Sequence, residues 1–311
     1  IATTYQYANS FNNLTVAAAS LTIAQGNSRI PMIAMVIGAV LNIILDAVFI
    51  ISMGMGVRGA AIGTVISQMV STIFFISYYF SGRSYLKIRL RNLVPEINIF
   101  KQIMAIGVSL LALTLTNSVS HIIVNRMLEN YGSDMALSVI GVLGRLMMFA
   151  IMPGIVIGQG LQPIVGYNYG ANRFDRIIKG IKIGITSVMV IGLLVFFVVY
   201  FSPSPLIRIF TDDPELIAQA SHAARRTFFF MYLVGFISVG SMVFVAIGKA
   251  TRSFITSISR SILFLIPSLF ILSHFWHLDG IWMAFPVADF LAFCLMLVLI
   301  IPQIKQFMRK Q

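Results

Sequence analysis

The sequence predicts an all-α integral membrane protein, and three observations lead to this prediction: the composition, the length of the apolar segments and the charges of the loops. Of the 311 residues, 58% are hydrophobic and only 10% are charged, whereas a soluble globular domain carries about 25% charged residues. The apolar residues occur in blocks of about 20 residues, which is the length of a helix that crosses a bilayer. Water is therefore not the main solvent of this chain.

Nine membrane-spanning helices can be predicted from the apolar blocks. Glycine, proline or charged residues separate them, as at 26–31, 54–56, 82–95 and 202–214, because these residues end or interrupt apolar helices. The predicted spans are 5–25, 31–53, 58–80, 99–125, 135–160, 181–201, 218–247, 254–273 and 280–302.

The loops between the spans alternate in charge, and this alternation predicts the orientation of the chain. Lys and Arg are retained on the cytoplasmic side of a membrane, so the basic loops are expected there together with the C-terminus. The other loops are acidic, with Glu129, Asp134, Asp212 and Asp279 among their residues. The net charge of +12 then reflects orientation in a cell membrane, and no nucleic-acid partner is expected. The basic loops hold Arg29; Arg83, Lys87, Arg89, Arg91 and Lys101; Arg173, Arg176, Lys179 and Lys182; Lys249, Arg252 and Arg260; and Lys305, Arg309 and Lys310.

An internal repeat relates the first three spans to the last three. Residues 24–29 resemble residues 246–252, and residues 57–61 resemble residues 278–282 at nearly the same offset. Both copies run in the same direction, which predicts a pseudo-two-fold axis along the membrane normal. The fourth to sixth spans have no partner in the chain. We therefore expect three further helices, about 120 residues, before the first residue and a complete protein of two six-helix lobes. The predicted parts are the remainder of the N-lobe (1–80), a basic cytoplasmic linker (81–98) and the C-lobe (99–311).

Asp46 is the strongest candidate for a functional charge inside a span. Ionisable residues within a membrane are costly and therefore mark functional sites by default. Asn42 lies four residues earlier on the same helix face, and Thr64 in the next span is expected at similar depth. A carboxylate, an amide and a hydroxyl together can hold a proton or a Na⁺ ion, and burial favours the protonated carboxyl. The matching position in the repeat, near 267–268, has no acid, which favours a functional role over a structural one.

Three further residues inside spans are possible secondary polar sites: Asp289, Arg145 and His121. The counterpart of Asp289 in the repeat, Gln68, is also polar, which favours a hydrogen-bonding role, with a functional role as the alternative. Arg145 is expected to pair with a buried acid, for which Asp289 is a candidate, or with carbonyls at a helix end. His121 is expected to be a satisfied core histidine, and the alternative is a second titrating group.

The sequence argues against an enzyme. The motifs GxSxG, HExxH and CxxC do not occur, and Gly248-Lys249 lacks the upstream glycine of a phosphate-binding loop. The single cysteine, Cys294, allows neither an internal disulfide nor a Cys/His metal spacing. We expect no cofactor apart from a coupling ion, and the sequence leaves any metal undetermined.

Two blocks of the sequence resemble the multidrug and toxic compound extrusion (MATE) family, and the resemblance covers nearly the whole chain. Residues 26–31, 42–46 and 56–61, with Thr64, are similar to the fourth to sixth helices of that family, and residues 159–171 are similar to the segment that closes its eighth helix. The chain looks most similar to the bacterial MepA-like members. The resemblance implies a MATE-like two-lobe bundle of which nine of the twelve helices are present.

The resemblance also implies a mechanism, which is the export of cationic, amphipathic drugs against H⁺ or Na⁺. In one branch of the family, an acid on helix one forms an ion site with residues that match Asn42, Asp46 and Thr64 here. That acid would lie in the segment expected before this chain. Another branch places acids on helices seven and ten, but residues 99–125 and 218–247 contain no Asp or Glu. This departure favours the N-lobe site.

Three functions are consistent with these patterns. The first is a secondary active multidrug antiporter that works by alternating access as a monomer, with cationic or amphipathic small molecules as substrates and the lipid bilayer as surroundings. The second is a lipid-linked oligosaccharide flippase of the same superfamily, which would need several cations around its cavity. The third is a membrane scaffold or an intramembrane enzyme, which would need no coupling acid.

Overall fold

The computed structural model describes residues 2–27, 29–82, 84 and 96–310 and divides the chain into two compact units, Ile1–Ile97 and Asn98–Gln311. Most of the predicted linker, 81–98, lies outside the described residues. The predicted lobe boundaries and the cytoplasmic position of that linker stay predictions. The described part of the chain is almost entirely helical.

The helices follow the predicted apolar blocks closely. The first unit contains α1 (Ala2–Ala24), α2 (Arg29–Asp46), a first π-helical segment (Ala47–Ser52) and α3 (Gly56–Phe80). The second unit contains α4 (Ile97–Tyr131), α5 (Asp134–Gly170), α6 (Phe174–Phe201), α7 (Pro203–Arg208), α8 (Pro214–Thr227), α9 (Met231–Ala246), α10 (Ala250–Ile258), a second π-helical segment (Ser259–Leu265) and α11 (Ile266–Met308).

Within the described residues, five helical stretches are long and apolar enough to cross a membrane, and the number becomes six if the bent pair α8–α9 counts as one span. The spans predicted at 5–25 and 99–125 are helices as well, α1 and α4, and the total of nine crossings stays a prediction. The five stretches are Arg29–Ser52, Gly56–Phe80, Asp134–Gly170, Phe174–Phe201 and Thr251–Met308.

The last stretch contains two predicted spans that reverse direction at His277. The backbone there leaves the helical region, with φ 47° and ψ −124°. A Cβ on Gly280 would collide with the carbonyl oxygen of Leu272, although residues eight apart in a straight helix are about 12 Å apart. The chain therefore folds back on itself at His277, as the predicted spans 254–273 and 280–302 require.

The predicted span 218–247 is wrong as a single helix. The structure divides it into α8 and α9, which are bent by 52° relative to each other. α8 begins where the Asp213 carboxylate accepts hydrogen bonds from the backbone N–H groups of Glu215 and Leu216, and this N-cap satisfies groups that the helix leaves unpaired. Arg225 and Arg226 lie in its last turn, where cations interact favourably with the helix dipole. This polar helix is therefore a separate element from the apolar α9.

Small residues and hydroxyls pack the helices of the first unit. The small residues Gly59, Gly63, Ser67 and Ser71 recur at every fourth position of α3, and such a stripe lets helix backbones approach closely in a membrane. A Cβ on Gly59 would lie 2.9 Å from the Cβ of Phe49. α3 can therefore approach the preceding helical segment this closely because glycine has no side chain.

Large apolar side chains form the core of the second unit. One cluster centres on Leu143, Phe228, Leu269 and Ile281, which are at most 1% exposed. Another combines residues of α5, α6, α9 and α11, and its large side chains that are at most 1% exposed include Ile177, Phe244, Met296 and Phe307. These two clusters hold the helices that line the cavity described below.

The repeat is visible in two pairs of turns. Gly26 and Gly248 have φ values of 81° and 72°. In each copy, the next residue donates its backbone N–H to the carbonyl five residues before it, at 3.2 Å for Asn27 and 2.9 Å for Lys249. This pattern is the Schellman helix end, which favours glycine because the residue has a positive φ. Both copies therefore end their first helix in the same way.

The second pair of turns shares a positive φ but not a glycine. Gly56 has φ 53° and His277, which follows it at the offset of the second repeated block, has φ 47°. A residue with a side chain is strained there, at a cost of order 1–3 kcal/mol. The second copy of the repeat therefore has the same backbone conformation at this turn but has a histidine where the first copy has the more suitable glycine.

Replacing His277 by glycine is expected to stabilise the protein. The glycine removes the strain of the positive φ. Two effects oppose this gain in folding stability: the unfolded chain becomes more flexible, and the contact between the rings of His277 and Tyr131, whose centres are 5.8 Å apart, is lost. We expect a net gain of about 1 kcal/mol. The measurement is the thermal unfolding midpoint of the full-length protein in detergent. The matched variant Gly56→Ala should lower that midpoint, and a lower midpoint for His277→Gly would contradict the strained turn.

Candidate functional site

The first candidate site is formed by two polar side chains at the junction of α2 and the first π-helical segment. Asp46 is the last residue of α2 and Asn42 lies one turn earlier. Within the described residues, Oδ1 of Asp46 and Nδ2 of Asn42 are buried and have no hydrogen-bond partner. An unpaired buried polar atom costs about 1–3 kcal/mol, and more if it is charged. The junction therefore has both an acceptor and a donor that remain unsatisfied.

Gly63 of α3 brings the next helix against this carboxylate. A Cβ at Gly63 would lie 2.7 Å from Oδ1 of Asp46 and 3.4 Å from Cβ of Leu45, so a larger residue would require the carboxylate to move. Thr64 follows directly in the chain, and its hydroxyl donates to the carbonyl of Ala60 at 2.9 Å. Since the Thr64 oxygen uses its proton in this bond, its lone pairs stay available as ligands.

The structure thus places the predicted residues Asn42 and Asp46 on one helix face and packs Asp46 beside the residue that precedes Thr64. Oxygen atoms of a carboxylate, an amide and a hydroxyl suit a hard cation such as Na⁺. A carboxylate is also able to bind a proton. The geometry is compatible with either ion and selects neither over the other.

A second candidate site is a cavity of about 780 Å³ within the second unit. Polar side chains at every fourth position of α4 line one wall: Asn117, His121, Asn125 and Glu129. Residues spaced by four share one face of a helix. The wall formed by α5 is apolar, and its lining includes Leu137, Ile140, Met147 and Ile151. His121 therefore faces a cavity, and the expectation that it is a core histidine is corrected.

Arg260 also lines this cavity and is held by a buried carboxylate. Its Nε donates to Oδ1 of Asp289 at 2.5 Å, and the Asp289 side chain is only 1% exposed. The next residue, Ser261, donates to the amide oxygen of Asn117 at 3.0 Å. Arg260 therefore binds one carboxylate oxygen of Asp289, whereas the other, Oδ2, is buried and has no hydrogen-bond partner among the described residues. The hydrogen-bonding role of Asp289 stays a prediction.

Two expectations about arginines are wrong. Asp289 pairs with Arg260 and not with Arg145, whose guanidinium carbon lies 5.8 Å from the ring centre of Phe210. This contact is a cation–π interaction rather than an ion pair. Arg260 itself is not a residue of a basic loop, because the second π-helical segment (Ser259–Leu265) contains it. Sequence reasoning missed this residue because it follows Lys249 and Arg252 closely in the chain.

Among the described residues, no group of three or more His, Cys, Asp or Glu side chains could hold a metal ion. The ion site predicted at Asn42, Asp46 and Thr64 would use amide and hydroxyl oxygens, and a group of this kind differs from such a metal cluster.

Removing the guanidinium of Arg260 is expected to destabilise the second unit. In Arg260→Met, the buried carboxylate of Asp289 loses its partner, and breaking a buried ion pair in this way costs about 3–5 kcal/mol. The measurement is the thermal unfolding midpoint of the full-length protein in detergent.

The double variant Arg260→Met/Asp289→Leu is the control, because it removes both charges together. Replacing both partners by apolar residues is often neutral, so the double variant should recover most of the lost stability. If the double variant lost as much stability as Arg260→Met and Asp289→Leu lose together when measured singly, the broken ion pair would not be the cause of the destabilisation.

Comparison with known proteins identifies relatives of this chain. The sequence model of the MatE family matches residues 109–271. The multidrug export protein MepA of Staphylococcus haemolyticus is 28% identical over 268 residues, which are 86% of this chain and 58% of that protein. The MepA protein of Staphylococcus saprophyticus is 28% identical over 266 residues, which are 85% of this chain and 58% of that protein. The chain therefore spans somewhat more than half the length of these curated relatives.

Solved structures show the same fold. The MATE multidrug transporter DinF-BH is 36% identical with a TM-score of 0.83, and the match covers 94% of this chain and 66% of that one. An outward-facing multidrug resistance MATE transporter is 26% identical with a TM-score of 0.81, and the match covers 91% of this chain and 63% of that one. Since the family match covers over half of the chain, this all-α, multi-pass membrane protein belongs to the MATE family, whose solved members are transporters and not enzymes.

Proposed function

We propose that this chain is part of a secondary active multidrug exporter that exchanges cationic, amphipathic molecules for H⁺ or Na⁺ by alternating access. The observation that carries the proposal is the buried, unpaired Oδ1 of Asp46 beside Gly63. Its relatives named multidrug export proteins support the substrate class.

The proposed coupling of ion binding to transport depends on the free-energy cost of leaving the Asp46 carboxylate unpaired. A charged Asp46 in apolar surroundings is unfavourable until a proton or a cation arrives. Asn42 is close enough in the helix to contribute its amide oxygen, and Thr64 can contribute its hydroxyl oxygen. Binding of the ion removes the unfavourable charge, and its release restores it. A site of this kind biases two conformations of a transporter by its ion occupancy.

The cavity in the second unit favours an exporter of cations over a flippase for pyrophosphate-linked lipids. Such a flippase would need several cations at its cavity. Among the described residues that line it, Arg260 is the only Lys or Arg, and Asp289 offsets its charge. Glu129, which has no ion-pair partner among the described residues, adds a negative charge to the lining.

Replacing the Asp46 carboxyl by an amide is expected to abolish coupled transport. Asp46→Asn keeps the size of the side chain and removes its ability to gain and lose a proton or to neutralise a cation. We expect the initial rate of ethidium transport to fall by about a hundredfold, in line with the loss of an essential proton-transfer group. The measurement uses the full-length protein in proteoliposomes, with pH and Na⁺ gradients imposed separately.

The matched control is Asp212→Asn, an exposed acid in a loop, which should transport at the normal rate. A graded variant is Gly63→Ala, whose Cβ would displace the Asp46 carboxylate. It should lower the rate without unfolding the protein, whereas Gly160→Ala, with nothing within 4 Å of the added carbon, should not. Normal, gradient-dependent transport by Asp46→Asn would refute the proposed ion site.

A further inference from the structure

Three cationic side chains converge where α9, α10 and α11 end or begin. Lys249 lies in the turn between α9 and α10, Arg252 in the first turn of α10 and Lys310 just after α11. Nζ of Lys249 donates to Oε1 of Gln303 at 2.5 Å, and Nη1 of Arg252 donates to the same oxygen at 3.3 Å. Gln303 is only 2% exposed. One neutral, buried oxygen therefore accepts from two cations.

Within the described residues, no acid forms an ion pair with the basic cluster of Lys249, Arg252 and Lys310. The two ion pairs found in the described part of the chain involve other residues. Burial lowers the pKa of Lys249 below its usual value, and the charges of Arg252 and Lys310 lower it further. The cluster therefore has an unfavourable concentration of positive charge that an anion would relieve.

Neighbouring groups reduce this repulsion only in part. Arg252 lies over the ring of Phe244 at 5.9 Å, and Lys310 lies over the ring of Phe174 at 5.7 Å. The C-terminal ends of α9 and α11 are also favourable for cations. Rings and helix ends supply partial charges, and none of them supplies the full negative charge of an anion.

The general excess of basic residues in the loops does not account for this arrangement. Lys179 and Lys182 on α6 belong to the same predicted side of the membrane and are exposed. Orientation in a bilayer requires only that cations be present near the ends of spans. It does not require that two of them point at one buried oxygen, as Lys249 and Arg252 do.

Exposed apolar side chains adjoin the basic cluster in sequence. On α11, Val298 is 68% exposed and Ile301 is 45% exposed, and both precede Gln303 by a few residues. On α10, Phe254 and Ile255 follow Arg252 and are also exposed. An occupant that fits both features carries an anionic group and apolar chains.

We propose that the cluster of Lys249, Arg252 and Lys310 binds the phosphate of an anionic phospholipid whose acyl chains lie along α10 and α11. Phosphate oxygens accept charge-assisted hydrogen bonds from Lys and Arg, and basic pockets between membrane helices bind anionic headgroups. The phosphate takes the place of the Gln303 oxygen as acceptor for Lys249 and Arg252. The site is independent of the transported substrate and of the coupling ion.

Native mass spectrometry of the full-length protein with added phosphatidylglycerol or phosphatidylcholine tests this proposal. The wild-type protein should bind phosphatidylglycerol more tightly than phosphatidylcholine. Lys249→Gln/Arg252→Gln should weaken phosphatidylglycerol binding about tenfold and leave phosphatidylcholine binding unchanged. Gln303→Glu, which keeps every cation and adds a carboxylate among them, should weaken phosphatidylglycerol binding as well.

The matched control is Lys179→Gln/Lys182→Gln, which removes the same charge from exposed positions and should leave phosphatidylglycerol binding unchanged. An equal loss in the control and in the cluster variant would overturn the site, because a general charge effect would then explain the binding. Equal affinity of the wild-type protein for both lipids would also overturn it. Displacement of the lipid by excess inorganic phosphate would identify a site for soluble anions and would overturn the lipid proposal.

Discussion

The cost of an unpaired polar atom in apolar surroundings governs both units of this protein. A buried carboxylate is unfavourable by several kcal/mol unless a partner offsets its charge. Asp289 has such a partner in Arg260, and this pair fixes α11 to the second π-helical segment. Asp46 has an unpaired oxygen, so in the proposed mechanism its partner is the coupling ion. Each acid has one buried oxygen without a hydrogen-bond partner among the described residues, but only Asp289 has a cation beside it there.

The two copies of the repeat have similar turn backbones but different ionisable side chains. The turns at Gly26 and Gly248 have the same helix end, and those at Gly56 and His277 share a positive φ. The side chains have diverged, because residues 267–268 in the second copy contain no acid where the first copy has Asp46. The two copies therefore share the backbone of these turns, while their ionisable groups differ.

Local patterns explain why much of the fold and part of the site could be predicted from sequence. Apolar blocks located the helices, and Asp46 could be found because it is an isolated acid in an apolar stretch. Arg260 is assigned to a loop because it is near Lys249 and Arg252 in sequence, although the predicted span 254–273 contains it. The bend in 218–247 could not be predicted, because α8 and α9 are both good helices and their angle depends on packing. The cavity in the second unit depends on contacts between distant helices, and sequence spacing does not show these.

The two π-helical segments relate the helical scaffold to its ionisable groups. One begins directly after Asp46, and the other contains Arg260. A π-helical turn contains an extra residue compared with an α-helical turn, and such turns are frequent at functional sites. The extra residue changes the faces on which later side chains lie, so the helix faces before and after each segment do not continue each other. The close approach of Gly63 to Asp46 then lets α3 pack against that carboxylate with no side chain at position 63 between them.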